Sequence, residues 1–89
     1  MTPAYAPRAE SLGIDLSLAF DDLLARIAGG VRRPVGFVRV RELLEALLLA
    51  SAEFGVAINR LANAQRYLDA GEPAAARYEL NLLRRSLKR

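Results

Sequence analysis

The chain has no cysteine, no histidine and no tryptophan, and its one lysine is Lys88. Without cysteine there is no disulfide to staple a small fold and no thiolate to hold a soft metal. Without histidine, the commonest general acid-base group and the commonest metal ligand are both missing. Threonine occurs once, as Thr2, and β-branched residues cluster only between Val31 and Val40. Long apolar runs are also lacking. The most apolar window, Leu43 to Ile58, contains Glu45 and Glu53 and falls short of the roughly 20 residues that a bilayer requires. The N-terminus shows no basic stretch followed by an apolar one. A cytoplasmic protein without a secretory leader or a membrane span is therefore expected.

What remains is rich in alanine, leucine and arginine, all strong helix formers. The expected class is all-α. With 89 residues there is room for one domain, burying only roughly 60–65% of its unfolded surface. A core this thin gains from association.

The dominant pattern lies between Val38 and Leu68. Apolar or small residues recur at Val40, Leu43, Leu47, Ala50, Phe54, Ala57, Leu61, Ala64 and Leu68. Steps of three and four hold one stripe on one side of a helix, and the spacing predicts a single long helix spanning roughly 46 Å at 1.5 Å per residue. Gly55 falls inside it and marks a kink or the close approach of a neighbouring helix.

Residues 1–13, with Pro3 and Pro7, read as a flexible arm, and residues 14–89 as one helical domain. A first helix is expected from Asp15 or Ser17 to Ala28. Its buried face is Leu16, Phe20, Leu23, Leu24 and Ile27, an Asp22–Arg26 pair lies outside, and Gly29-Gly30 ends it. Pro34 blocks any continuation, and some of Val35, Phe37 and Val38 should tuck beneath the bundle. The alternation Val38-Arg39-Val40-Arg41 is strand-like, but no second strand exists to satisfy its backbone. Gly71 stops the long helix. Pro73 then opens a last one to about Leu87, with Ala76, Leu80, Leu83 and Leu87 on one face.

The order Tyr67, Gly71, Ala76, Leu80 resembles the middle of a tetratricopeptide repeat. The upstream aromatic position is Arg60, the closing proline is absent and there is no second unit. Such arrays need about three repeats, so the resemblance implies a tight helical hairpin and nothing further. The expected architecture is a small antiparallel three-helix bundle built on one long central helix, and it is expected to be oligomeric.

Leu49 and Val56 lie seven apart on the predicted wet face of the long helix, with Ala52 between them. That stripe needs a neighbour, and with the Val35–Phe37 corner it forms the expected interface. Charge supplies the other candidates. Residues 1–34 and 35–71 each carry four arginines against four acids, so the net charge of +3 resides wholly in 72–89. Arg32 and Arg33, in the Gly/Pro connector, and Arg84, Arg85, Lys88 and Arg89, at the C-terminus, are the candidate anion or nucleic-acid contacts. In the plainer reading Arg39 pairs with Glu42, Arg41 pairs with Glu45 and the remainder is solvated. No aromatic interleaves the C-terminal cluster to stack on bases. Asp21 with Asp22 and Glu42 with Glu45 lack the histidines of a di-metal bundle, and no phosphate loop is present.

These features point away from an enzyme and from any cofactor or metal. They point to an interaction or assembly module, an accessory subunit or adaptor that binds itself and a larger protein. A small basic nucleic-acid-binding protein is the alternative. A predominantly helical circular-dichroism spectrum is expected, with a melting temperature unchanged by chelator or reductant; a shift with either agent would contradict this reading.

Overall fold

The computed structural model describes residues 8–87. They form four helices: α1 (Arg8–Ala28), α2 (Gly36–Leu48), α3 (Glu53–Asp69) and α4 (Pro73–Leu87). No strand occurs among the described residues, and Val38–Arg41 is helical. The all-helical class stands, while the three-helix count is corrected to four.

The correction falls in the middle of the predicted long helix, which is interrupted between Leu48 and Glu53. Leu49 (φ −50°, ψ −39°) and Ala52 (φ −62°, ψ −20°) keep helix-like dihedrals, so the interruption requires neither glycine nor proline. The new start is secured by Ser51. Its hydroxyl accepts the Glu53 N–H at 3.0 Å, and its carbonyl accepts the Phe54 N–H at 3.1 Å. A serine oxygen facing the free amides of a first turn is the usual way to begin a helix. Glu53 in that turn adds a favourable charge at the positive end of the helix dipole. The apolar stripe fails at the same place, since Ala50 is exposed while Val40, Leu43, Ala57 and Leu61 are buried.

The chain folds back here. Phe37 and Val38, at the start of α2, share a cleft with Gln65 and Leu68, near the end of α3. Arg41, one turn on, shares another with Ile58 and Leu61. At the opposite end Leu16 of α1 lies with Leu47 of α2 and Leu87 of α4. Each helix packs on the two beside it (α1 on α2, α2 on α3, α3 on α4, α4 on α1), and the diagonal pairs stay apart. The result is an antiparallel four-helix arrangement. Its core is Leu16, Phe20, Leu23 and Ile27 from α1, and Phe37, Val40, Leu43 and Leu44 from α2. Ala57, Leu61, Ala64 and Leu68 come from α3, and Ala76, Leu80 and Leu83 from α4. The stripe predicted for one rod is thus two stripes lining one interior.

The other boundaries follow local chemistry. α1 starts at Arg8 rather than at Asp15 or Ser17, so Arg8–Gly13, read as part of an arm, are helical; residues 1–7 lie outside the described residues. α1 and α3 end alike. The Val31 N–H reaches the Arg26 carbonyl and the Gly30 N–H that of Ile27, both at 3.0 Å. The Glu72 N–H reaches Tyr67 at 2.9 Å and the Gly71 N–H reaches Leu68 at 3.0 Å. Both are Schellman caps, which need a left-handed residue, and Gly30 (φ +93°) and Gly71 (φ +81°) supply it. Pro73 opens α4, as expected.

The close approach assigned to Gly55 lies elsewhere. A Cβ on Gly55 would meet nothing within 4 Å, whereas one on Gly36 would lie 3.2 Å from Leu23 Cδ1 and 3.3 Å from Leu23 Cβ. Gly36 is where α2 crosses α1, and its missing side chain sets their separation. Gly55→Ala should therefore stabilise the protein by about 0.5–1 kcal/mol through helix propensity. Gly36→Ala should destabilise it by about 1–3 kcal/mol through overpacking against Leu23. Urea unfolding of the two variants checks both signs.

Candidate interaction surface

Among the described residues no polar or charged side chain is buried, and no group of acidic residues is placed to hold a metal. Among these residues, too, no helix is long and apolar enough to cross a membrane. The candidates are mostly surface features, each placed by the helix that carries it.

Leu49 and Val56 are both exposed, but they do not share a helix. Leu49 caps the end of α2, Val56 sits in the first turns of α3, and Ala52 is in the turn between them. The register that made them one stripe depended on the unbroken rod. Val56 instead lines a groove between α3 and α4 with Asn59, Arg60 and Glu79. The Val35–Phe37 corner also divides. Val35 is 80% exposed and Phe37 4%, because Phe37 points into the core beside Val40 and Leu44.

The arginines separate into engaged and free. Arg84, placed by sequence in an anion site, is largely covered. It ion-pairs with Asp21 of α1 and lies 3.4 Å from the Ser17 hydroxyl, so it pins α4 to α1. Arg60 does the same between α3 and α4 through Glu79, at 3.4 Å. Arg26 pairs with Asp22 at 2.9 Å as the spacing predicts, and Arg41 with Glu45 at 3.7 Å. The expected Arg39–Glu42 pair is not made. Among the described residues Arg32, Arg33, Arg39, Arg77 and Arg85 enter no ion pair. Arg32 and Arg33 stand in the α1–α2 connector, at the mouth of a cleft of about 370 Å³ walled by Val35, Val38, Gln65 and Leu68. Arg85 is exposed on α4. Lys88 and Arg89 lie outside the described residues.

Two surface features were not read from the sequence. Ile14 and Leu18 are 62% and 60% exposed on α1. Their spacing of four marks a second, outward stripe, which is legible only once α1 is known to begin before Gly13. Tyr78 is exposed on α4, seven residues before Arg85 and thus on the same outward stripe. An aromatic does accompany that arginine in space, although none interleaves the cluster in sequence.

Comparison of the chain with protein-family models, with curated proteins and with solved structures finds no match. The surface must be read from its own chemistry.

The Arg84–Asp21 pair joins side chains that are 25% and 57% exposed. Solvent screens such a pair, so Asp21→Asn should cost no more than about 1 kcal/mol. Phe20→Ala, one residue away in the core, should cost about 3–5 kcal/mol. Only the first loss should shrink in high salt, and denaturant titrations at two ionic strengths separate them.

Proposed function

We propose that the chain is a non-enzymatic interaction module, an accessory subunit or adaptor that associates with copies of itself and with a larger protein. The observation that carries this reading is apolar surface left outside a closed core. The core side chains are at most 7% exposed, yet Ile14, Leu18, Val35, Val38, Leu49 and Val56 each expose 60% or more. A lone exposed aliphatic needs no explanation. Several on one small bundle, spread over α1, the two ends of α2 and the grooves beside α3, leave apolar area that a partner can cover. A chain of 89 residues also gains stability from association by mass action.

A second reading, nucleic-acid binding, has one observation in its favour. Arg32, Arg33, Arg77 and Arg85 have no ion-pair partner among the described residues, and Arg85 shares its stripe with the exposed Tyr78, a platform of the kind on which bases stack. Arg84, already engaged by Asp21, has little to give it.

Light scattering across a concentration series distinguishes the readings. Self-association predicts a mass rising above the 9.8 kDa monomer. A mass fixed at the monomer value at every concentration would overturn self-association. The second reading predicts a mobility shift of single- or double-stranded probes at low salt that fades steeply as salt is added; an unshifted probe at low salt removes it.

A further inference from the structure

The α1–α2 side of the bundle combines two features that suit it to contact another molecule. It exposes Leu18 of α1 and, flanking the two ends of α2, Val35 and Leu49. It also holds opposite charges that stay unpaired: Arg39 and Glu42, one turn apart on α2, make no ion pair with each other or with any other described residue.

Their order along the face decides what fits there. Leu23 of α1 stands level with Gly36 of α2. Measured from that level at 1.5 Å per residue, Arg39 lies about 4.5 Å along α2, Leu18 about 7.5 Å along antiparallel α1, and Glu42 about 9 Å along α2. Val35 is at one end, Ala46 and Leu49 at the other. The pattern is self-complementary about the height of Leu18. If a second copy is inverted about a two-fold axis at that height, Leu18 meets its own counterpart. Arg39 of each copy then faces Glu42 of the other, and Val35 of each faces Ala46. An isologous contact requires this symmetry, with the same patch matching itself.

We infer, resting on the self-association proposed above, that two copies pack antiparallel through their α1–α2 faces, with Leu18 on the two-fold axis and two reciprocal Arg39–Glu42 pairs beside it. The exposed apolar residues supply the driving force and the charges fix the register. At a helix width of about 10 Å, roughly 31 Å of α1 and 20 Å of α2 present about 500 Å² per copy. The total is then about 1,000 Å², the size of a weak, transient interface. The dimer is accordingly concentration-dependent and in exchange with monomer.

Sedimentation equilibrium on the full chain tests this, with far-UV circular dichroism as a check on folding; Leu18, Arg39 and Glu42 are all exposed, so the fold does not depend on them. Leu18→Glu, which sets two like charges on the axis, should raise the dissociation constant by at least about tenfold. Arg39→Glu and Glu42→Arg should each weaken the dimer, because each places like charges opposite one another. The double exchange Arg39→Glu with Glu42→Arg should restore it. Val56→Glu, on α3, should leave it unchanged. A wild-type dimer that survives Leu18→Glu, or a double exchange no better than its parents, overturns this face and leaves self-association standing. A wild-type chain that never exceeds the monomer mass overturns both.

Discussion

One constraint shapes the molecule: the apolar stripe from Val40 to Leu68 has to be covered along its whole length. As one straight helix from Val38 to Leu68 it would extend roughly 46 Å, well past the end of either α1 (about 31 Å) or α4 (about 22 Å). A 31-residue helix would thus leave much of its greasy side in water, at about 25 cal/mol per Å². Folding back at Ala50–Ser51 removes that cost. Val40, Leu43 and Leu44 then share one interior with Ala57, Leu61, Ala64 and Leu68, and α1 and α4 close the remaining two sides. The length of the stripe seemed to call for a second chain; the fold satisfies it within one.

Other features follow from this turn. Antiparallel α2 and α3 bring the connector before α2 alongside the end of α3, which creates the cleft flanked by Arg32 and Arg33. The turn also separates Leu49 from Val56, so any apolar contact surface has to be sought on the outward faces of single helices. The ion pairs Arg84–Asp21 and Arg60–Glu79 each bridge two helices and hold α4 between α1 and α3. Their partial exposure makes them guides to register more than sources of stability. Gly36, where backbones approach, sets the spacing of α1 and α2.

The surface was less legible than the interior, for a physical reason. A core position is announced by its period, because burial on one side of a helix repeats every three or four residues. A surface position gains meaning from what lies beside it on another element. Arg84 read as a free cation at a basic terminus, and its neighbour Asp21, sixty-three residues earlier, is beside it only in the folded chain. Phe37 read as part of an exposed corner until α2 was known to begin at Gly36 and turn that ring inward.

The sequence by itself determined the helical class, the glycine caps after α1 and α3, the proline start of α4, the Asp22–Arg26 pair and nearly every core residue. Each of these depends on interactions within a few residues along the chain. Only the tertiary structure decided that the central stripe is a hairpin. Ser51 with helix-like dihedrals on both sides is locally compatible with continuing or with stopping. The choice depends on burying apolar area against α1 and α4, a sum over distant contacts that no local window contains.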